Sequence, residues 1–281
     1  MWDTRCPARC ASTTSRLGDA LTTHEVADTS FVPSTRLRLA GMALHAYTAT
    51  GTVLGFLIVV AAFDGAVERA LWLALAALII DGTDGMIARR LRVSETIPSF
   101  DGARLDDIVD YLTYAFAPMV LLWVTDRLPE GGWGAVFAVL PLLASSYQFC
   151  RTDAKTADHF FLGFPSYWNV VAFYVFVLDL GEVTTSVILM ACTILVFVPI
   201  RYVYPSRTRA FRSLNIGFTC LWLVTYAVLL AQEPDPDVIV VLLSLVYLVY
   251  YAGLSLYLTL ALPWGPAKRL SRDAIAADLE D

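Results

Sequence analysis

Charged side chains are scarce in this chain: Asp, Glu, Lys and Arg make up 16% of 281 residues, against 57% hydrophobic residues. That balance excludes an ordinary soluble domain. No glycine-rich phosphate loop, internal repeat or low-complexity run is present, so neither a P-loop nucleotide site nor a solenoid is expected. The five cysteines, Cys6, Cys10, Cys150, Cys192 and Cys220, have no C-x-x-C spacing and no histidine at metal-ligand distance. A disulfide framework is not expected, and Cys6 with Cys10 alone makes a poor metal site. The first 35 residues lack the continuous apolar stretch of a signal peptide and read as a disordered cytoplasmic tail.

What is present is a series of long apolar segments, near residues 41–62, 70–90, 104–125, 133–150, 166–180, 183–203, 213–231 and 237–262. Each approaches the length needed to cross roughly 30 Å of hydrocarbon at about 1.5 Å per residue, the fifth being the weakest. The expected fold is an all-α polytopic membrane bundle of about eight transmembrane helices, residues 36–265, with a cytoplasmic C-terminal tail at 266–281. In an eight-span arrangement nearly all Lys and Arg residues fall on one side, with only Arg69 and Arg127 opposite. Basic residues are retained in the cytoplasm. Both termini are therefore expected there, with the chain in a bacterial inner membrane.

Acids stand where two of these segments meet water. Asp81-Gly-Thr-Asp84-Gly85-Met-Ile-Ala88-Arg89 closes one apolar run, and Gly102-Ala-Arg-Leu-Asp106-Asp-Ile-Val-Asp110 opens the next. A helix turns about 100° per residue, so positions 81, 84, 85, 88 and 89 share a face, as do 102, 106 and 110. Four carboxylates crowded at the edge of a low-dielectric slab repel one another unless a cation neutralises them. Oxygen-only ligands suit hard divalent ions. Gly85 and Ala88 leave room for a ligand, and Arg89 offers a fork for phosphate oxygens. These residues point to a metal-dependent site for a phosphate-bearing substrate at a membrane surface. Aspartates that are merely solvated at helix ends are the plainer alternative.

The pattern D-x-x-D-G-x-x-A-R, a spacer, then G-x-x-x-D-x-x-x-D resembles the signature of the CDP-alcohol phosphotransferases, integral membrane enzymes of phospholipid synthesis. The spacer here, Arg90 to Asp101, is twelve residues, longer than in most of that family, and resembles the bacterial phosphatidylcholine synthases. The likeness extends through His45 to Thr48, Lys155 to Asn169, and Pro199 to Asn215. It implies transfer of a phosphatidyl group from CDP-diacylglycerol to choline, with release of CMP. By the same resemblance Asp81, Asp84 and Asp106 would hold one divalent ion, Mn2+ or Mg2+, and Asp81, Asp106 and Asp110 a second. Asp110 would be the general base. Gly85, Ala88, Arg89 and Gly102 would receive the cytidine and pyrophosphate, and a homodimer among membrane lipids is implied. No nucleic-acid partner is expected.

Other roles rest on the residues themselves. His45 and Thr48 lie a turn apart and would reach nucleotide or phosphate, or bond between helices. Arg201 and Arg207, in a cluster with Arg209 and Arg212, would grip the phosphates of the CDP-lipid or only enforce topology. A quaternary ammonium has no hydrogen-bond donor and is held by aromatic faces. Tyr111 and Tyr114 are the first choices for choline and Trp168 a further one, although Tyr and Trp gather at any membrane interface. Tyr147, Phe161 and Tyr167 are weaker choices. Serine, inositol phosphate or glycerol phosphate as acceptor is the nearest alternative, and a cation transporter the remote one.

Overall fold

The computed structural model describes residues 33–156 and 158–262. The two expected tails lie largely outside these limits, as do Cys6 and Cys10. In chain order the elements are α1 (Thr35–Phe63), α2 (Val67–Arg90), α3 (Val93–Thr96) and α4 (Gly102–Asp110). A π-helical turn (Tyr111–Phe116) then leads into α5 (Ala117–Val124), followed by α6 (Gly132–Cys150), β1 (Phe160–Leu162) and α7 (Trp168–Val177). The chain closes with α8 (Glu182–Phe197), β2 (Arg201–Val203), α9 (Arg212–Ala231) and α10 (Val238–Ala261).

All eight apolar segments are helical, and six helical stretches are long and apolar enough to cross a membrane: Thr35–Phe63, Val67–Arg90, Gly102–Val124, Gly132–Cys150, Arg212–Ala231 and Val238–Ala261. The chain is a multi-pass membrane protein. The remaining two helices are shorter, α7 with 10 residues and α8 with 16. The shortness of α7 goes with its position. Trp168, Phe173 and Val175 are wholly buried, and Phe173 stacks on Tyr226 of α9 with ring centroids 3.6 Å apart. A helix enclosed by its neighbours answers to packing rather than to bilayer thickness.

The sixth segment stops sooner than its apolar composition predicts. Val198 turns to extended geometry (φ −85°, ψ 126°) because Pro199 follows, and a residue before proline avoids the helical region. Instead of helix to residue 203, the chain pairs β2 antiparallel with β1, Phe161 opposite Tyr202. This small sheet is a departure from a purely helical expectation. Aromatic and branched side chains in both strands suit it.

Close approach of two helices sets up the site. On α1, Gly51 faces Val109 so tightly that an added Cβ would overlap the Val109 side chain. Gly55, one turn on, sits against Leu112 and Thr113. Small residues at a membrane helix interface let backbones come near. The stretch Gly102–Val124 is thereby drawn onto α1, which also packs on α2. Ser34, Asp101 and Asp237 cap α1, α4 and α10 by accepting from the backbone N–H of Leu37, Arg104 and Ile239, satisfying donors the helix leaves open.

Loop contacts agree with the expected alternation of spans. Arg127, after α5, pairs with Asp179, after α7, at 2.8 Å, and Arg69 pairs with Asp64 at 2.6 Å. Burial, then the nearby acids Glu68, Asp179 and Asp235, push the Glu233 carboxyl above its ordinary value. The two minority arginines and these acids therefore belong to the end of the bundle opposite the aspartate motif.

Candidate active site

The ends of α2 and α4 bring three carboxylates together. Asp81, Asp84 and Asp106 each offer an oxygen such that all three atoms lie within 4.8 Å of one another. Asp110, one turn beyond Asp106, is in electrostatic contact with Asp81 and Asp106, but does not join the tight triad. The two α2 carboxylates are held from behind. The Thr48 hydroxyl of α1 donates to Asp84 Oδ2 at 2.7 Å, and the Tyr114 phenol donates to Asp81 Oδ2 at 2.5 Å. Tyr114 belongs to the π-helical turn, a distortion that recurs at functional sites. Oxygen-only ligands, two of them held by outer hydrogen bonds, fit a hard divalent ion.

Around the triad stand the other motif residues. Gly85 is overhung by Arg89, whose Nη1 would lie 3.4 Å from an added Cβ. Ala88 is half-buried on the same face. Gly102 is pressed against the His45 ring, where a Cβ would come within 2.7 Å of Cε1. His45 is further stacked near Phe100 at 4.3 Å, and its Nε2 is buried with no hydrogen-bond partner. A polar atom in that condition calls for a ligand. The twelve-residue spacer is packed too, since Val93 and Ile97 lie against Gly41 of α1.

The basic cluster divides. Arg207 and Arg212 are in electrostatic contact with Arg89, which itself faces Asp84. Arg201 goes elsewhere: it is buried, 3.9 Å from Asp158, with Nη1 donating to the Leu262 carbonyl. The expected choline residues divide as well. Trp168 is buried and donates to Ser145 Oγ at 2.6 Å. Tyr111 donates to the Leu142 carbonyl at 3.4 Å and accepts from Ser146 on α6. Neither is brought to the carboxylates, whereas Tyr114 is. An α-helical register places 111 and 114 alike; the choice is made by what packs against each side.

Lys155 escaped the reading of the sequence as a functional residue. Its Nζ lies 4.0 Å from Asp107. The enclosing protein draws its pKa down, but Tyr204 and the carboxylates of Asp106, Asp107 and Asp110 outweigh this and leave it above the usual lysine value. About half of its side chain remains accessible, 53%. Asp81, Tyr167 and Tyr204 are likewise surrounded yet only partly covered. They line a concave recess open at this end of the bundle. A lysine amid a sequence of loops gives no periodic signal, so its proximity to the acids had no local signature.

Comparison with known proteins agrees with this arrangement. Residues 45–199 match the family model for CDP-alcohol phosphatidyltransferase. A phosphatidylcholine synthase of Pseudomonas aeruginosa is 36% identical over 229 residues, covering 81% of this chain and 94% of the relative. Those of Legionella bozemanae and Borreliella burgdorferi are 38% and 34% identical, covering 68% and 77% of this chain and 90% and 93% of the relatives. The matched region runs from His45 through both halves of the aspartate motif to the end of α8, so the chain belongs to the CDP-alcohol phosphatidyltransferase family of membrane enzymes.

Proposed function

We propose that this enzyme condenses CDP-diacylglycerol with choline to give phosphatidylcholine and CMP. The observation that carries the reading is the carboxylate triad with Asp110 beside it, set in a recess with both guanidinium groups and aromatic rings. The curated relatives named phosphatidylcholine synthase support the choice of acceptor.

Asp81, Asp84 and Asp106 would hold one divalent ion, Mn2+ or Mg2+, and Asp81, Asp106 and Asp110 would hold a second. Such ions, when bound, polarise the phosphoryl group next to diacylglycerol and neutralise charge on departing CMP. Arg89, with Arg207 and Arg212 near it, binds the pyrophosphate oxygens; Gly85 and Ala88 leave space for the nucleotide, and Gly102 lets the His45 ring stand beside it. His45 directs its free Nε2 to it. Asp110 accepts the proton of the choline hydroxyl, a poor nucleophile at neutral pH until deprotonated. The alkoxide oxygen attacks the phosphorus in line and the bond to CMP breaks. Thr48 and Tyr114 keep the two α2 carboxylates in place.

The distribution of Lys and Arg supports a cytoplasmic active site in a bacterial inner membrane, and the family likeness supports a homodimer. CMP release by purified protein with CDP-diacylglycerol, Mn2+ and each of choline, serine, inositol phosphate and glycerol phosphate tests the reaction. Turnover with choline alone, abolished in Asp110→Asn, is the expected result. Turnover with another acceptor overturns the choline assignment, and no CMP with any acceptor overturns the enzyme reading of this site.

A further inference from the structure

Two of the three aromatic residues picked from the sequence for choline are engaged away from the carboxylates, and the Tyr114 hydroxyl is bound to Asp81. Two of the weaker choices, Phe161 in β1 and Tyr167 just before α7, stand instead with Tyr204, just after β2, at the carboxylate end. Phe161 and Tyr204 stack with centroids 4.6 Å apart and planes at 30°. Tyr167 turns its ring across Phe161 at 6.5 Å and 82°, and across Tyr114 at 6.1 Å and 77°. None of the three is fully covered. Tyr167 is in electrostatic contact with Asp81, and Tyr204 with Asp81 and Asp106.

Their placement is enforced by unusual backbone. His159, Gly163 and Ser166 all have positive φ, 62°, 83° and 58°, which shapes the segment that carries Phe161 and Tyr167. Gly163 packs so closely on the Val196 carbonyl that a Cβ would overlap it. Non-glycine residues in this region are rare and cluster at functional sites. The strand pair β1–β2 holds Phe161 beside the segment leading to Tyr204.

We propose that Phe161, Tyr167 and Tyr204 form the seat of the acceptor's quaternary ammonium, next to the carboxylates where its hydroxyl reacts. The proposal rests on the reading of choline as acceptor. A trimethylammonium group donates no hydrogen bond and is attracted to the faces of aromatic rings. An ethylene bridge alone separates it from the reacting oxygen, so the seat has to adjoin the catalytic acids, as these rings do.

Wild type, Phe161→Leu, Tyr204→Leu and Tyr204→Phe are compared by CMP release and by saturation-transfer NMR with tetramethylammonium as probe. Both leucine variants are expected to raise the choline KM about three- to thirtyfold and to lose the tetramethylammonium signal; the CDP-diacylglycerol KM stays unmoved in Phe161→Leu, whereas the Tyr204 ring also carries Arg207, 5.9 Å from its centroid. Tyr204→Phe, which keeps the ring, recovers most of the affinity lost in Tyr204→Leu. An unchanged choline KM in both leucine variants, a parallel rise in both KM values of Phe161→Leu, or no tetramethylammonium signal in wild type overturns the seat. If wild type turns over no choline yet binds tetramethylammonium in a manner abolished by Tyr204→Leu, the seat stands and the acceptor reading falls.

Discussion

The phenol of Tyr114 donates a 2.5 Å hydrogen bond to Asp81, tying the π-helical turn to the end of α2 across 33 positions of sequence. A bond to a charged acceptor contributes about 1.5–3 kcal/mol, and partners behind metal ligands set metal affinity by roughly 10–100-fold. Tyr114→Phe keeps the ring and removes only this bond. It is expected to raise the half-saturating Mn2+ concentration by about tenfold in CMP-release assays, with thermal stability lowered.

Gly102 has no room for a methyl group, because a Cβ would come within 2.7 Å of the His45 ring. Gly102→Ala is expected to lower kcat/KM for CDP-diacylglycerol by about tenfold or more, through displacement of His45 and α4. Adding His45→Ala opens the space and restores the position of α4. The double variant therefore loses less than the two single losses multiplied, which a double-mutant cycle measures.

Removal of divalent ions with a chelator is expected to abolish CMP release, and Mn2+ or Mg2+ to restore it. Asp106 supplies one of the three converging oxygens. Asp106→Asn removes a charge without changing shape, and restoration then needs more than about tenfold higher metal.

Lys155 pairs with Asp107 at 4.0 Å and is in electrostatic contact with Asp106 and Asp110, two of the carboxylates proposed as metal ligands. Lys155→Met leaves the cluster more negative, so the half-saturating Mn2+ concentration falls severalfold by Coulomb's law at the modest dielectric of such a recess. Titration of activity against Mn2+ checks the sign. A rise instead of a fall contradicts the placement of Lys155.

Arg151 grips Asp153 through two bonds, 2.7 and 2.8 Å, and also reaches the Leu162 carbonyl of β1. The hydrogen bond from Arg151 holds the Asp153 carboxyl below its ordinary value. Its folded-state pKa is thus lower than in the unfolded chain, so the contribution is present above the ordinary aspartate range and fades as pH falls through the depressed value. Asp153→Asn is expected to lose less than about 1 kcal/mol at pH 7, since the Asp153 side chain is exposed. Melting curves for the variant and wild type converge in acid.

The helices and the acid motif were legible because they repeat a local rule. Apolar length alone brought the expected bounds 70–90 and 213–231 close to α2 at Val67–Arg90 and α9 at Arg212–Ala231. Helical spacing put Asp81 with Asp84 and Asp106 with Asp110 on shared faces. Tyr111, Tyr114 and Trp168 show where such rules stop. All three are aromatic and near a helix end, but only Tyr114 meets the acids. Composition cannot tell a ring that faces the recess from one packed against α6.

By itself, then, the amino-acid sequence determined a membrane bundle, its sidedness of charge, and four acids at one end of two helices, because burial of apolar length and a 3.6-residue turn are properties of each segment alone. Tertiary structure decided which loops fold over those acids. Pairing of residues 160–162 with 201–203 brings Lys155, Phe161 and Tyr204 to the recess, and Gly51 lets α4 close upon α1. Contacts between residues so far apart depend on how whole elements pack, and no stretch of chain carries that information locally.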